Sequence, residues 1–342
     1  MPDRAIAVLG AGSWGTALAI QLARNGQSTV LWGNSQAQMT VLANERRNTQ
    51  FLPGILFPDL LYVEPDFDQV LAQVRDILIV VPSHAFRTVL ESIVTWHQRM
   101  GIALDGVQRR VVWATKGLDH QSCGLLHDTA IDVLGDNVPL AVLSGPTFAG
   151  EVAAGLPTAI TLACQEPVFT TDLVGRLHDD RFRVYTNDDL IGVGLGGAVK
   201  NVLAIAAGIA DGLNFGANSR AALVTRGLAE MMRLGVALGG QRETFMGLAG
   251  LGDLVLTCTD NQSRNRRMGL ALAAGQSLQA AQQSIGQVVE GVVAAREVRQ
   301  LAQRVNVDMP IVEQVYMVLY EGVPIKEAVS ALFSRQPRDE LA

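Results

Sequence analysis

The first half of the chain alternates short apolar, largely β-branched runs with segments of helical periodicity. This alternation is typical of a parallel sheet, whose successive strands are joined by crossover helices. Runs that are apolar at almost every position predict strands covered on both faces. The predicted strands are residues 5–10, 28–32, 76–81, 110–115, 139–144, 158–163 and 181–186, with helices between most of them, such as residues 16–25 and 84–100.

The pattern changes near residue 187. No later run predicts a strand, and the segments that follow are rich in alanine and leucine, which favour helices. The predicted helices are residues 196–211, 220–238, 266–275, 288–304 and 311–320. We therefore predict an N-terminal α/β domain with a doubly wound sheet over residues 1–187, an all-α C-terminal domain over 188–335, and a frayed polar tail over 336–342.

The composition is typical of a globular protein with a well-filled core. Of the 342 residues, 49% are hydrophobic and 18% are charged, which is too apolar for a disordered chain. The net charge of −6 argues against a nucleic-acid-binding protein, which would need a basic surface. The three cysteines, Cys123, Cys164 and Cys258, are scattered and without CxxC spacing, so we expect free thiols.

The apolar stretches predict neither a signal peptide nor a membrane span. The N-terminal stretch runs directly into a glycine turn, unlike a signal peptide. The most apolar internal segment is interrupted by Lys200, Asn201 and Asp211, and falls short of the roughly 20 clean residues of a transmembrane helix. We therefore expect a soluble, cytoplasmic protein.

The turn after the first predicted strand has the sequence GAGSWG, residues 10–15, and an alanine-rich helix follows it. In this strand–turn–helix setting, GxGxxG is the fingerprint of a Rossmann-like dinucleotide-binding fold. Gly10 permits the tight turn, Gly12 lets the backbone approach a pyrophosphate, and Gly15 lets the helix pack closely on the strand. The N–H groups of the helix start would bind the anion. A glycine turn with a purely structural role is the alternative.

The end of the second predicted strand bears on the choice of cofactor. A site selective for NAD usually has an acidic residue there, about 20 positions past the fingerprint, to bind the ribose. This chain has Asn34 and Ser35 instead, which neither repel a 2′-phosphate nor grip one. The nearest arginines, Arg46 and Arg47, are expected on a solvated helix face. We therefore predict that NADH and NADPH are both accepted.

Lysine is rare in this chain, and two of its lysines occupy unusual positions. Of the 27 basic residues, 24 are arginine, and the lysines are Lys116, Lys200 and Lys326. Lys116 follows a predicted strand, at the carboxyl edge of the sheet where doubly wound folds bind ligands. Lys200 lies on an apolar helix and leans over Gly196 and Gly197, which leave room for another backbone or a small ligand.

The choice of lysine over arginine favours a functional role at both positions. A lysine can donate a proton at a reaction centre, whereas an arginine is always charged. For Lys116 the alternative is an ordinary surface lysine in a loop. For Lys200 the alternative is a buried ammonium that a carboxylate neutralises or that reaches solvent.

The segment SGPTFAGE, residues 144–151, follows the fifth predicted strand in the way that Lys116 follows the fourth. Its backbone N–H groups and the hydroxyl of Thr147 are candidate ligand contacts. A plain turn explains Gly145 and the proline after it equally well.

A second candidate anion site lies further along the chain. Asp253 follows a glycine cluster that predicts a sharp turn, and Ser263 is a predicted helix N-cap. Residues 264–267, RNRR, fall in the first helical turn, where the positive end of the helix disfavours arginine. A bound anion would remove that conflict. For Arg266 and Arg267 the alternative is a basic turn facing solvent.

The remaining patterns give little chemistry. Glu290 lies in an apolar stretch and by itself predicts a helix with one polar face. The five histidines show neither HxH nor HExxH spacing, so we predict no metal site. No GxSxG occurs, which argues against a serine nucleophile.

Seven segments, in order from about residue 4 to 334, resemble the bacterial-type NAD(P)-dependent glycerol-3-phosphate dehydrogenases. They are GAGSWGTALA, VVPSHAFR, WATKGL, SGPTFAGEVAAGLPTA, GGAVKNVLAIAAGIADGL, GLAGLGDLVLTCTDNQSRNRR and GQVVEGV. The resemblance implies a cytoplasmic oligomer, with a homodimer favoured, that uses NAD(P)H. It also implies reduction of dihydroxyacetone phosphate to sn-glycerol 3-phosphate, a precursor of phospholipids.

The resemblance further implies roles for individual residues. Lys200 matches the catalytic lysine that transfers a proton. The residues that match substrate contacts are Lys116, Gly145, Thr147, Lys200, Asp253, Ser263, Arg264 and Asn265. The residues that match cofactor contacts are Ser13, Trp14, Asn34, Lys116, Ala149, Arg264, Val288 and Glu290, besides Gly10, Gly12 and Gly15 of the fingerprint. Asn34 departs from relatives that often have histidine or arginine there, which leaves the preference between NADH and NADPH open.

Two other functions are compatible with the residues alone. A dehydrogenase of similar architecture acting on a 3-hydroxy acid would bind a carboxylate, for which one arginine suffices. A protein that senses nucleotides without catalysis would bind the cofactor but would not need a proton-donating lysine. The role of Asn201 also stays open, because its amide could hold Lys200 or the cofactor.

Overall fold

The computed structural model describes residues 5–104, 106 and 108–336. The chain divides into two compact units, an α/β unit of Met1–Asp119 with Leu126–Leu190 and a helical unit of His120–Leu125 with Ile191–Ala342. The sequence pattern gave no indication that the short segment His120–Leu125 groups with the helices. Of the predicted polar tail, Gln336 is exposed, and residues 337–342 lie outside the described residues.

The α/β unit is built on an eight-stranded sheet with the order β3-β2-β1-β4-β5-β6-β7-β8. Its strands are β1 (Ile6–Leu9), β2 (Thr29–Trp32), β3 (Leu61–Val63), β4 (Asp76–Ile79), β5 (Arg110–Trp113), β6 (Leu140–Ser144), β7 (Thr158–Cys164) and β8 (Phe182–Asn187). The seven strands predicted from apolar runs are confirmed. Strand β3 was not predicted, because it has only three residues and Leu61 is the only fully buried one among them.

Strands β1 to β6 pair in parallel, as the alternation of strands and helices predicts. The connecting helices are α1 (Ser13–Arg24), α2 (Gln36–Glu45), α3 (Phe67–Gln73), α4 (Ser83–Met100), α5 (Leu126–Leu134), α6 (Ala149–Ala154) and α7 (Pro167–Leu177). The predicted parallel sheet has one exception, β7, which is antiparallel to β6. After the six-residue helix α6, the chain re-enters the sheet at the edge where β6 ends.

The core of the α/β unit lies between the sheet and these helices. Strand β1 is buried at every position, and α1 buries the nine consecutive residues 15–23. Phe86 of α4 and Trp113 of β5 pack edge to face, with ring centroids 5.8 Å apart. Burial on both faces explains why the strands have no polar side in the sequence.

The helical unit contains all five helices that the sequence predicts, as α8, α9, α12, α14 and α15. Its elements are α8 (Leu190–Gly212), α9 (Gly216–Ala237), α10 (Arg242–Phe245), a π-helical turn (Leu248–Gly252), α11 (Asp253–Thr259), α12 (Arg264–Ala273), α13 (Leu278–Ile285), α14 (Glu290–Arg304), α15 (Pro310–Tyr320) and α16 (Ile325–Phe333). The unpredicted α10, α11, α13 and α16 have fewer than ten residues, too few to repeat an apolar pattern over several turns.

Helix α8 is apolar on nearly all sides because it is buried in the fold. By length and composition alone it could cross a membrane, since an 18-residue window has a mean hydropathy of 1.7. However, 89% of that window is buried inside the structure. A core helix of a soluble protein passes the same test, so α8 is weak evidence for a membrane span.

The backbones of α8 and α12 are in direct contact. A Cβ atom added to Gly208 would lie 2.1 Å from the carbonyl oxygen of Arg266. One added to Gly269 would lie 2.1 Å from the carbonyl oxygen of Ile205. The two glycines therefore fix how closely α12 lies against α8.

We expect Gly208→Ala to destabilise the protein by about 1–3 kcal/mol or more, because the added methyl group forces α8 and α12 apart. The matched control is Gly194→Ala on the same helix, where a Cβ meets no described atom within 4 Å. This control should be neutral or stabilising by up to about 1 kcal/mol. Urea unfolding measures both variants, and equal stabilities would contradict the close contact.

Glu230 of α9 is a buried carboxyl group at the start of α15. It is 2% exposed and accepts hydrogen bonds from the backbone N–H groups of Ile311, at 2.8 Å, and Val312, at 3.3 Å. These N–H groups lie in the first turn of α15, where the helix itself offers them no acceptor. Burial raises the pKa of Glu230 to about 7, and it outweighs the two backbone hydrogen bonds, which lower that pKa.

The protein should therefore lose stability as the pH rises from about 4.5 to above 7. In this range the folded protein keeps the Glu230 proton while the unfolded chain releases it, so a higher pH favours unfolding. Relative to Glu230→Gln, which has no such proton, the loss should be on the order of 3 kcal/mol. Urea unfolding of both proteins at pH 5 and pH 8 tests this. A difference between them that does not change with pH would overturn the assignment.

Candidate active site

The fingerprint turn between β1 and α1 is closely packed at its first and last glycines. Gly10 has φ +130°, and a Cβ there would lie 2.2 Å from the carbonyl oxygen of Val80, just after β4. A Cβ on Gly15 would lie 1.8 Å from the carbonyl oxygen of Gly10. Both close contacts predicted from the sequence, the tight turn and the packing of α1 on it, are confirmed.

Gly12, between these glycines, faces open space. A Cβ added there meets no described atom within 4 Å. Gly12 is also the N-cap of α1, and no described side chain caps that helix. An uncapped helix start beside an open glycine fits the pyrophosphate of a dinucleotide.

Ser13 and Trp14 form the first turn of α1. Trp14 is partly buried against the core of the unit, and its indole Nε1 is buried without a hydrogen-bond partner among the described residues. A buried indole N–H usually has an acceptor. This group therefore also fits a site that a bound ligand completes.

Asn34 lies at the carboxyl end of β2, and its side chain is exposed. The next residue, Ser35, caps α2 by accepting the backbone N–H of Gln38 at 3.3 Å. Arg46 and Arg47 are exposed, as predicted for a solvated face, and Arg46 donates to the carbonyl of Pro58 at 2.7 Å.

The loops that follow β5 and β6 meet at the carboxyl edge of the sheet. Lys116 is half-buried, and its ammonium donates to the carbonyl oxygen of Gly145 at 3.2 Å. The hydroxyl of Thr147 donates to the same oxygen at 3.1 Å. Gly145 has φ +153°, a conformation that favours glycine. Ala149 is the first residue of α6. The structure thus brings Lys116 and the SGPTFAGE segment together.

Lys200 of α8 lies in the interior of the helical unit beside Asp253. Lys200 is 6% exposed and Asp253 is 1% exposed, and the ammonium donates to Oδ1 of the aspartate. The π-helical turn brings Asp253 here, because its backbone packs on Gly196, where a Cβ would lie 2.5 Å from the carbonyl oxygen of Ala249. The glycine therefore accommodates a second backbone, one of the two possibilities that the sequence left open.

Thr257, which was not predicted, is a second partner of the lysine. Lys200 Nζ donates to Thr257 Oγ1 at 3.0 Å, and that hydroxyl donates to the carbonyl of Asp253 at 2.6 Å. The i, i+4 spacing of Asp253 and Thr257 on a helix is the signal that could have found it. The adjacent Cys258 is fully buried, and burial raises the pKa of its thiol to about 12 although the nearby Lys200 charge lowers it.

A network of side-chain amides joins α8, α12 and α14. Asn265 Nδ2 donates to Asn201 Oδ1 at 2.8 Å, and Asn201 Nδ2 donates to Glu290 Oε2 at 3.2 Å. Asn265 Oδ1 accepts the backbone N–H of Gly291 at 2.9 Å. Through Asn201, the network connects Asn265, a predicted substrate contact, to Glu290, a predicted cofactor contact. Both partners of Asn201 in this network are residues other than Lys200.

The start of α12 is capped by Ser263, as predicted, through a hydrogen bond from the backbone N–H of Arg266 at 3.2 Å. Arg264 is half-buried and Arg267 is exposed. The alternative that Arg266 faces solvent is wrong. Its guanidinium is buried and donates to Asp211 at 2.6 and 3.2 Å, so an internal carboxylate removes the conflict with the helix end.

Val288, the cysteines and the possible metal ligands are the remaining predicted features. Val288, before α14, is 56% exposed. Cys123, Cys164 and Cys258 are free thiols, as expected. Within the described part of the chain, no three His, Cys, Asp or Glu side chains lie close enough together to hold a metal ion.

Comparisons with known proteins cover nearly the whole chain. The family profile for the N-terminus of NAD-dependent glycerol-3-phosphate dehydrogenase matches residues 5–170, and the profile for its C-terminus matches residues 189–330. The chain is 57% identical to the glycerol-3-phosphate dehydrogenase (NAD(P)+) of Shewanella amazonensis, covering 100% of this chain and 99% of the relative. It is 58% identical to that of Klebsiella pneumoniae strain 342, covering 99% and 98% of the two chains.

A solved structure gives the same result. The crystal structure of glycerol-3-phosphate dehydrogenase from Coxiella burnetii superposes with a TM-score of 0.92 at 50% sequence identity. The match covers 97% of this chain and 99% of that one. It includes both the Rossmann-like sheet and the helical C-terminal part, and it confirms the predicted fold class.

Removing one partner of the Lys200–Asp253 pair should cost roughly 3–5 kcal/mol of stability, because the other charge is left buried and unpaired. We therefore expect Lys200→Met and Asp253→Leu each to be strongly destabilised. The double variant should be more stable than either single variant, since it buries no unpaired charge. A double-mutant cycle by urea unfolding measures the coupling, and simple additivity would show that the charges do not interact.

Proposed function

The chain belongs to the NAD-dependent glycerol-3-phosphate dehydrogenase family, and on that basis we propose a role for each part of its site. It is an oxidoreductase that reduces dihydroxyacetone phosphate to sn-glycerol 3-phosphate. NADH or NADPH supplies the hydride.

We propose that Lys200 is the proton donor. As hydride reaches the carbonyl carbon of the substrate, negative charge develops on the carbonyl oxygen, and a positioned ammonium stabilises that charge and then gives up a proton. The observation that carries this proposal is the burial of Lys200 in an apolar helix with Asp253 and Thr257 as partners. Structural stability alone gives no reason for a lysine here in a chain that has 24 arginines.

Asp253 and Thr257 are proposed to position the ammonium. Asp253 neutralises it inside the protein, and the hydroxyl of Thr257 fixes the direction of a second N–H bond. An ammonium held in this way does not have to reorganise when charge develops on the substrate, and this preorganisation is what makes electrostatic catalysis effective. Lys116, Gly145 and Thr147 are proposed as further substrate contacts on the strength of the family resemblance.

The start of α12 is the proposed binding site for the substrate phosphate. Ser263, Arg264 and Asn265 lie at the positive end of a ten-residue helix, where N–H groups attract an anion. Arg264 is the arginine proposed to contact the phosphate, because Arg266 already binds Asp211. A carboxylate substrate would not need so many donors, which favours a phosphate over a 3-hydroxy acid.

The cofactor is proposed to bind residues 1–187, with catalysis and substrate binding assigned to residues 188–335. Gly10, Gly12 and Gly15 would hold the pyrophosphate, and Asn34 would lie near the ribose. The other proposed cofactor contacts are Ser13, Trp14, Lys116, Ala149, Arg264, Val288 and Glu290. The cytoplasmic location, the homodimer and the supply of phospholipid synthesis that the resemblance implies are part of the same proposal.

Lys200→Met should lower kcat for dihydroxyacetone phosphate by at least about 100-fold, the usual contribution of a positioned acid. Lys200→Arg should be similarly impaired, because arginine keeps the charge but cannot give up its proton. The matched control is Lys326→Met, which removes an exposed lysine of α16 and should leave kcat unchanged.

Initial rates with dihydroxyacetone phosphate and each cofactor measure these effects, and titration with NADH verifies that Lys200→Met still binds the cofactor. Wild-type turnover by Lys200→Met would exclude it as the proton donor. Turnover of a 3-hydroxy acid, without turnover of glycerol 3-phosphate or dihydroxyacetone phosphate, would contradict the assigned substrate.

A further inference from the structure

The fingerprint turn contains one carbonyl group that two distant side chains hold in place. The carbonyl oxygen of Ala11 accepts a hydrogen bond from Gln38 Nε2 at 3.0 Å and another from Asn48 Nδ2 at 3.0 Å. Ala11 lies between Gly10 and Gly12, two residues without a Cβ atom. Neither Gln38 nor Asn48 belongs to the fingerprint or to the set of proposed ligand contacts.

The direction of this carbonyl determines the direction of the next N–H group. In a trans peptide the carbonyl group of Ala11 and the N–H group of Gly12 lie in one plane and point in opposite directions. Holding the oxygen toward the protein therefore turns the Gly12 N–H away from those two amides. If the peptide rotated, the oxygen would replace that N–H and repel a phosphate.

A rotation of this kind is a real alternative because glycine permits it. Gly12 has no Cβ, and even a Cβ added there would meet no described atom within 4 Å. The missing side chain at Gly12 lets a pyrophosphate approach the turn, but it would also allow the peptide to turn the Ala11 carbonyl oxygen toward the phosphate. A hydrogen-bond lock on the Ala11 carbonyl removes that alternative before the ligand binds, which lowers the entropy cost of binding.

Asn48 is the deeper part of this lock. It is 1% exposed, and its second bond from Nδ2 goes to Thr16 Oγ1 in α1 at 2.8 Å. Its Oδ1 accepts the backbone N–H of Phe51 at 3.2 Å. With both sides of the amide engaged, Asn48 has one orientation, and it ties the turn to the first part of α1.

Gln38 approaches the same oxygen from helix α2. Its backbone N–H binds the Ser35 hydroxyl that caps this helix, directly after Asn34. One residue therefore connects the proposed ribose end of the cofactor site to the proposed pyrophosphate end. Because Gln38 is only half-buried, it can be replaced with less effect on the core than Asn48.

We propose that Asn48 and Gln38 are positioning residues for the cofactor: they lock the Ala11–Gly12 peptide so that its N–H, and not its carbonyl oxygen, faces the pyrophosphate of NAD(P)H. This proposal depends on the proposed function only in assuming that the protein binds NAD(P)H. It predicts an effect on the binding of diphosphate-containing ligands and none on the chemical step.

Asn48→Asp replaces the donating amide by an oxygen that repels the Ala11 carbonyl, and Gln38→Met keeps the side-chain length without a donor. Each should raise the Kd for NADH and NADPH by about 10- to 100-fold, the effect of misplacing one hydrogen bond to a charged group. The Kd for adenosine, which lacks the diphosphate, should stay within twofold. At saturating cofactor, kcat and the KM for dihydroxyacetone phosphate should also stay within twofold.

The matched control is Asn25→Asp at the opposite end of α1. The Asn25 amide also holds backbone carbonyls, those of Arg176 and His178, at 2.9 and 3.0 Å. This variant loses the same kind of bond in the same unit, but it should bind NADH like the wild type. Melting temperatures without ligand report the structural cost of all three variants.

The Kd values come from titrations of the full-length protein with NADH, NADPH, ADP-ribose and adenosine. Loss of affinity for ADP-ribose but not for adenosine supports the lock. Equal losses for both ligands, or NADH affinity within twofold of wild type in Gln38→Met and Asn48→Asp, would overturn it. If the wild type bound NADH but reduced no dihydroxyacetone phosphate, the proposed function would fail while these titrations still tested the lock.

Discussion

A lysine ammonium inside an apolar helix has to be neutralised, and the helical unit is arranged around that requirement. Lys200 is buried on α8, where an unpaired charge would be among the most costly groups in the interior. Asp253 reaches it because the π-helical turn before α11 packs its backbone on Gly196, and Thr257 follows one helical turn later. The glycine on α8 and the π-helical turn therefore together place Asp253 where it neutralises Lys200.

Neutral amides support the backbone near both proposed phosphate sites. In the α/β unit, Asn48 and Gln38 hold a carbonyl of the fingerprint turn. In the helical unit, Asn201 and Asn265 connect the starts of α12 and α14. An amide can fix a backbone group without adding a charge that would attract or repel the ligand. A lysine or aspartate in the same place would alter the electrostatic potential that the helix ends provide.

The sequence was sufficient for features whose cause lies within a few neighbouring residues. Seven of the eight strands, the fingerprint turn and the Ser263 cap were predicted because each depends on a local pattern. Partners from distant parts of the chain were missed: Thr257 lies 57 positions from Lys200, and Asp211 lies 55 positions from Arg266. Only the i, i+4 spacing from Asp253 connects Thr257 to the site in the sequence, and no such local signal connects Asp211 to Arg266. An arginine at a positive helix end reveals a conflict, but only the folded chain shows whether a ligand or a carboxylate resolves it.

The high pKa of the Cys258 thiol has a consequence for the chemistry next to the lysine. Alkylation and oxidation proceed through the thiolate, and a thiol with a pKa of about 12 supplies almost none of it at neutral pH. Its complete burial also keeps reagents away. Cys258 is thus a poor target for oxidation or alkylation, although it lies next to Thr257 in the chain.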